Sequence, residues 1–287
     1  MESRPPVTAP GLGAFLAPGP LSFTEFVGSH APHLLPTSGA SAAGGAAALD
    51  VPHGTTIVAL TFADGVVIAG DRRATSGNVI AQRDIEKIFI TDSLSAVGIA
   101  GSAGLAIQMV RLYSADLEHY EKLEGVSLSF DGKANKLAQS VAANLSAALQ
   151  GFVVVPLFVG YDPEEGGGRI VNYDATGGRY DEHLGFNAVG SGSIFAKSAL
   201  KKTFDPNADL AGAVRTAVSA LYDAADDDTA TGLPDLTRGL YPIVVSITGA
   251  EGAVKRPTAE IEAVVRAIVA ERTQSPSTGH AATDAGA

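Results

Sequence analysis

Between Gly54 and Thr55 the chain changes character, and that boundary restricts its fold more than any other feature. Residues 1–54 carry 8 of the 15 prolines and only four charged side chains, Glu2, Arg4, Glu25 and Asp50, and positions 38–48 are almost wholly Ser, Gly and Ala. Such a stretch buries too little apolar surface to offset its ordering entropy, so it is predicted to be largely disordered or loosely docked. It has no basic stretch leading into an apolar core, as a secretory signal would, and its single arginine argues against a mitochondrial transit peptide. A linker, a tail or a removable prosegment remain as readings. At Thr55 the β-branched run TTIVALTF begins at once.

The order of elements after that point indicates fold class. Residues 55–62 and 66–69, separated by Ala63-Asp64-Gly65, predict a hairpin. A second pair of strands is predicted at 85–90 and 94–100. Two amphipathic helices follow, at 103–122 (Leu105, Met109, Leu112, Tyr113, Leu117) and 133–149 (Leu137, Val141, Leu145, Leu149). Strands are predicted at 153–159, 169–173 and 184–189, with 179–183 unassigned. Helices at 194–204 and 209–225, a strand at 241–247, a helix at 259–271 and a polar tail from 273 complete the chain. Segregated blocks of strands and helices predict layered α+β architecture rather than a βαβ repeat.

Composition removes several kinds of chemistry. There is no cysteine, which excludes disulfides, thiolate nucleophiles and zinc–thiolate or iron–sulfur centres. Only His119 and His183 of the six histidines fall between the first 54 residues and the polar tail, too few for His-based chemistry or a His-rich metal site. No cofactor is expected. The net charge of −11 argues against nucleic acid or an anionic membrane as partner, and no apolar run is long enough to span a bilayer.

Three hydroxyls are candidate nucleophiles or near-motifs. Ala100-Gly101-Ser102-Ala103-Gly104, between a predicted strand and helix, is a near variant of the nucleophile elbow, which would make Ser102 a serine-hydrolase nucleophile; a Gly-rich strand–helix turn is the plainer reading. Gly190-Ser191-Gly192-Ser193 departs from a phosphate loop and reads as a strand-to-helix turn with a serine cap. Thr55 is different. If the peptide bond before it is cut, its own α-amino group, with a pKa near ~7.7–8, becomes the base that its hydroxyl needs, and no histidine is required. A low-complexity leader, an unhindered Gly54 carbonyl and an immediate strand suit that design; Thr55 merely opening a strand is the alternative.

The residues that follow bear on that choice. Gly70-Asp71-Arg72-Arg73-Ala74-Thr75 ends the second strand, Lys87 lies within the third, and Gly101 ends the fourth; Asp71, Lys87 and Gly101 stand 16, 32 and 46 positions after Thr55. With Val189-Gly190-Ser191-Gly192 and Asp226-Asp227-Asp228-Thr229-Ala230-Thr231-Gly232, this pattern resembles the catalytic β-subunits of the 20S proteasome, threonine peptidases of the N-terminal nucleophile class. The resemblance covers essentially all of 55–272, and the His-Gly-Thr-Thr junction is most similar to actinobacterial members.

The resemblance implies a four-layer αββα sandwich for a mature chain of residues 55–287, with 273–287 as a disordered tail and 1–54 as a propeptide removed by self-cleavage between Gly54 and Thr55. It implies Thr55 as nucleophile, Lys87 beside its oxygen, Asp71 orienting Lys87, and the Gly101 N–H as oxyanion donor. Ser191, Asp228 and Thr231 would form a hydrogen-bond network at the new amino terminus, with Thr231 where the family usually has Ser; a cap role for Ser191 stays open. Ala74, Ile85, Phe89, Ile99, Ala103 and Ile107 would line an apolar pocket, and Thr75, Gly101 and Ala103 would hold an extended substrate by its backbone. The implied partners are proteasome α-subunits, other β-subunits in seven-membered rings stacked as a pair between α-rings, a ring-shaped ATPase unfoldase, and unfolded polypeptides including proteins tagged with a small ubiquitin-like modifier. The implied location is cytoplasmic. A non-catalytic ring subunit is the remaining rival, although such chains generally lack the Thr or Lys kept here.

Overall fold

The computed structural model describes residues 54–76 and 78–274. The expectations for residues 1–53 and for the tail beyond Gln274 lie outside the described residues.

Two five-stranded antiparallel sheets form the centre. The first has the order β10-β1-β2-β11-β12, built from β1 (Thr56–Phe62), β2 (Gly65–Gly70), β10 (Phe186–Gly190), β11 (Ile243–Thr248) and β12 (Gly252–Lys255). The second has the order β5-β6-β7-β8-β9, built from β5 (Ile88–Asp92), β6 (Ser95–Gly101), β7 (Val154–Asp162), β8 (Gly167–Tyr173) and β9 (Arg179–Asp181). A small hairpin, β3 (Ala74–Ser76) with β4 (Val79–Gln82), stands apart from both.

Side-chain alternation sorts the sheets into layers. Ile57 and Ala59 of β1 face Leu157 and Val159 of β7 in a core between the sheets, where Val66, Ile68, Val245 and Ile247 also pack. The other face of β1, Val58 and Leu60, packs under helices α4 (Ser193–Thr203), α5 (Leu210–Asp227) and α6 (Thr258–Gln274). On the far side, Val97, Ile99, Phe158 and Val171 pack under α1 (Ala103–Glu124) and α2 (Phe130–Ala143). The result is a four-layer αββα sandwich. The central strands read as continuous apolar runs because both of their faces are covered.

Several boundaries differ from expectation. On α1 the buried stripe is Ala106, Met109, Val110, Tyr113 and Leu117, while Leu112 points to solvent. The second helix starts earlier, at Phe130, because the Ser129 side chain accepts the Gly132 N–H, and it ends at Ala143. After Asn144 comes a single turn, α3 (Leu145–Ala148), so Leu145 and Leu149 leave the core stripe and are exposed. β5 begins at Ile88, and Lys87 therefore sits just ahead of the strand rather than within it. Strands β3, β4, β9 and β12 had no sequence reading; they are short, and few of their side chains are buried. The helix expected to end at 271 continues to Gln274.

Candidate active site

Thr55 stands one residue before β1, and the topology brings other chain ends to it. Pairing of Thr56 with Gly190 sets the end of β10, and hence Ser191, alongside. Pairing of Ile57 with Gly70 does the same for the end of β2, which runs into Asp71. The second sheet contributes Lys87, just before β5, and Gly101, the last residue of β6. The C-terminus of α5 delivers Asp228 as its cap residue.

Asp71 and Lys87 form a buried ion pair with a 2.7 Å contact; their side chains are 0% and 4% exposed. Every Asp71 lone-pair direction has a donor. Oδ1 accepts Lys87 Nζ and the Thr56 N–H, and Oδ2 accepts the Arg73 and Gly232 N–H groups at 2.9 Å each. Such complete pairing is what lets a charge remain in an apolar interior. The Lys87 ammonium spends its three protons on Asp71, the Arg73 carbonyl and the Gly54 carbonyl, the last at 2.9 Å. Burial pulls the Lys87 pKa below its ordinary value, against the opposing pull of Asp71. The Thr55 hydroxyl also donates to the Gly54 oxygen, at 2.6 Å. Lys87 thus engages the carbonyl next to the Thr55 hydroxyl.

A second network lies on the other side. The Thr55 carbonyl accepts the Ser191 N–H at 2.9 Å, and the Ser191 hydroxyl oxygen lies 3.3 Å from it. Ser191 and Thr231 both donate to Asp228 Oδ2 at 2.6 Å. The cap of α4 is Gly192, with no side-chain bond, so Ser191 does not serve as a helix cap.

A small cavity opens beside Thr55, lined in part by Ala74, Ile85, Ile99, Gly101 and Ala103. Gly101 has φ +106°, and a Cβ there would lie 2.1 Å from the Val153 oxygen, so only glycine allows this turn from β6 into α1.

The profile of the proteasome subunit family matches residues 51–234. The chain belongs to the proteasome subunit family. It is 59% identical over 267 residues to a proteasome subunit beta of Saccharopolyspora erythraea, covering 92% of this chain and 93% of that one. It is 56% identical over 271 residues to a proteasome subunit beta of Saccharomonospora viridis, covering 92% and 94%. A proteasome subunit beta of Rhodococcus erythropolis is 58% identical over 266 residues, covering 89% and 90%.

In this proteasome subunit two of the six expected pocket residues lie elsewhere. Phe89 alternates to the outer face of β5 and, like Ile107 on α1, packs against the core beneath α1 and α2. Ala106 and Glu86 line the cavity as well, so its wall includes one acidic residue, which is ion-paired with Lys255. Ser102, the elbow candidate, is 2% exposed and its hydroxyl has no hydrogen-bond partner among the described residues, so none of them activates it as a base. Sequence reasoning missed Arg73, whose guanidinium donates to the Thr229 and Thr231 carbonyls at 3.1 Å and ties the Asp71 turn to the Asp228 loop. Its signal was its place in the Asp71-Arg72-Arg73 run. Among the described residues no acidic or histidine cluster suits a metal ion, and no helix is long and apolar enough to cross a membrane.

Proposed function

We propose that this chain is a catalytic β-subunit of the proteasome core, a threonine endopeptidase that exposes its own nucleophile. The observation that carries the reading is the convergence of the Thr55 hydroxyl and the Lys87 ammonium on the Gly54 carbonyl, at 2.6 and 2.9 Å, in front of a buried Asp71.

Self-cleavage begins when Thr55 Oγ1 attacks the Gly54 carbonyl carbon. Negative charge develops on the Gly54 oxygen, where Lys87 already donates a hydrogen bond. Collapse of the adduct breaks the Gly54–Thr55 peptide bond, the proton given up by the hydroxyl ends on the departing nitrogen, and Gly54 is left esterified to Thr55 Oγ1 with the α-amine released. Water hydrolyses the ester, and residues 1–54 leave as a propeptide. In turnover the α-amine takes the hydroxyl proton as Oγ1 attacks a substrate carbonyl, then returns it to the departing amine. Water opens the acyl-enzyme. Asp71 holds Lys87; Gly101 offers a backbone N–H to the oxyanion; Ser191, Asp228 and Thr231 organise the new amino terminus. Ala74, Ile85, Ile99 and Ala103 receive the side chain before the cut, and an apolar group gains most there because a charge would be left unpaired. Backbone groups of Thr75, Gly101 and Ala103 hold the peptide as an added strand.

The subunit works with proteasome α-subunits and with other β-subunits in paired seven-membered rings. A ring-shaped ATPase delivers unfolded polypeptides, including proteins carrying a small ubiquitin-like modifier, in the cytoplasm. Sequencing the amino terminus of the chain produced together with its α-subunit tests the reading. Thr55 should be the first residue, and an active particle that retains residues 1–54 would refute it.

A further inference from the structure

Thr56, the residue after the proposed nucleophile, has a fully buried side chain that the mechanism above does not use. Its hydroxyl lies 2.6 Å from the Thr231 hydroxyl and accepts the Gly192 N–H at 3.0 Å. Proton counting sets the direction of the first contact. A hydroxyl has one proton. Thr231 spends its proton on Asp228 Oδ2, so Thr56 is the donor to Thr231. A one-way chain results: Gly192 N–H to Thr56, Thr56 to Thr231, Thr231 to Asp228. Ser191 donates to the same Asp228 oxygen, and the Ala230 N–H holds Oδ1 at 3.1 Å.

The backbone of Thr56 belongs to the opposite half of the site, since its N–H donates to Asp71 Oδ1, the oxygen that binds Lys87. Thr56 therefore links the Asp71–Lys87 pair to the Ser191–Asp228–Thr231 network through one residue. The space for this link is specific. A Cβ on residue 192 would stand 2.5 Å from Thr56 Oγ1 and 2.7 Å from Thr231 Oγ1, so a glycine is needed for the hydroxyl pair to form.

We propose that the Thr56 side chain is a positioning residue for the peptidase reaction, acting through Thr231 to hold Asp228 in register with Thr55. It also gives a role to threonine at position 231, whose hydroxyl must accept and donate at once. The inference rests on Thr55 being the nucleophile.

The test uses the full chain produced with its α-subunit, with intact mass recorded before peptide kinetics. Thr56→Val keeps the shape and removes the hydroxyl. It should lower kcat by about tenfold or more with KM nearly unchanged, as for groups that matter in the transition state. Thr56→Ser should restore most of kcat. Thr231→Val should match the Thr56→Val loss, and the double variant should be no worse than the poorer single, because one chain is being broken twice. Wild-type kcat in Thr56→Val, a loss confined to KM, no rescue by Ser, or multiplying losses in the double variant would overturn the proposal. Should Thr56→Val fail to assemble, Thr231→Val reads the same chain from its other member: a kcat loss supports it and wild-type kcat overturns it. Thr55→Ala run in parallel separates the two claims. Activity in Thr55→Ala sinks the nucleophile assignment, whereas an inactive Thr55→Ala beside a fully active Thr56→Val sinks only the role of Thr56.

Discussion

Lys87 donates to the Gly54 carbonyl oxygen at 2.9 Å, so the ammonium lies where negative charge would develop during self-cleavage. The same ammonium is held by Asp71 at 2.7 Å and by the Arg73 carbonyl, which leaves it little freedom to move. Loss of this charge should therefore stop maturation. In Lys87→Ala, intact-mass analysis should show residues 1–54 still attached, with peptide hydrolysis down by several orders of magnitude, roughly the scale of losing an essential catalytic group. Normal processing in this variant would remove Lys87 from the mechanism.

Asp71→Asn should cost both stability and activity. The carboxylate accepts four donors, and an amide must turn an NH2 toward two of them while leaving Lys87 without its counter-charge. Breaking a buried pair from one side costs about 3–5 kcal/mol. A thermal melt should show a clear fall in Tm, and an unchanged melting curve would contradict the buried-pair account.

Gly54→Ala should slow self-cleavage while leaving the peptidase activity of the fully processed particle, which no longer contains residue 54, unchanged. Gly54 has φ +100°, and a Cβ there would meet Thr75 Oγ1 at 2.6 Å and the Ala230 oxygen at 2.9 Å. A left-handed non-glycine residue costs about 1–2 kcal/mol before any clash, so processing should slow by about tenfold or more. The time course of propeptide loss, followed by mass, measures this directly.

The pH profile of peptide hydrolysis should have two limbs of opposite origin. Activity should rise as the Thr55 α-amine deprotonates near pH ~7.7–8. It should fall again as Lys87 loses its proton, at a pH below the ordinary lysine value of 10.5 because burial lowers that pKa, with Asp71 and Asp228 opposing and Arg73 assisting. The sign follows for stability too: in the window between the lowered and ordinary values the folded chain binds fewer protons than the unfolded one, so this group makes stability rise with pH there. Lys87→Arg, which holds its charge to higher pH, should abolish or shift the upper limb in whatever activity it retains. An upper limb unmoved in that variant would assign it to another group.

Peptides differing only in the residue before the cut should be cleaved faster after Leu, Phe or Tyr than after Asp or Arg. Ala103→Phe should fill the cavity and reduce cleavage after large residues more than after Ala. Burying an aromatic or Leu side chain is worth ~1.5–3 kcal/mol, so the preference should span at least about tenfold in kcat/KM. A preference for Arg would indicate that Glu86 leaves Lys255 to bind substrate.

Much of this was legible in the sequence because the relevant forces are local. A β-branched run after a Pro- and Gly-rich leader marked β1 to within one residue, since the strand expected over 55–62 starts at Thr56. The family resemblance carried by the spacing of Asp71, Lys87 and Gly101 after Thr55 pointed to residues that the fold brings together. Leu112 and Leu145 were misread because an apolar residue at helical spacing does not reveal whether a neighbour covers it, and a break at Asn144 turned the later stripe outward.

Residue identity and periodicity by themselves raised Thr55 as a candidate nucleophile and set the layered class, while Asp71 and Lys87 as its partners followed only from the family resemblance that their spacing carries. Tertiary structure alone decided that Lys87 bonds the Gly54 carbonyl, that Phe89 and Ile107 face a core rather than the cavity, and that Arg73 and Thr56 tie the two halves of the site together. Those contacts join residues such as Thr56 and Thr231, 175 positions apart. Their donors and acceptors meet only after two sheets and a helix end have packed, and hydrogen bonding, which requires a separation near 3 Å, leaves no periodic trace along the chain.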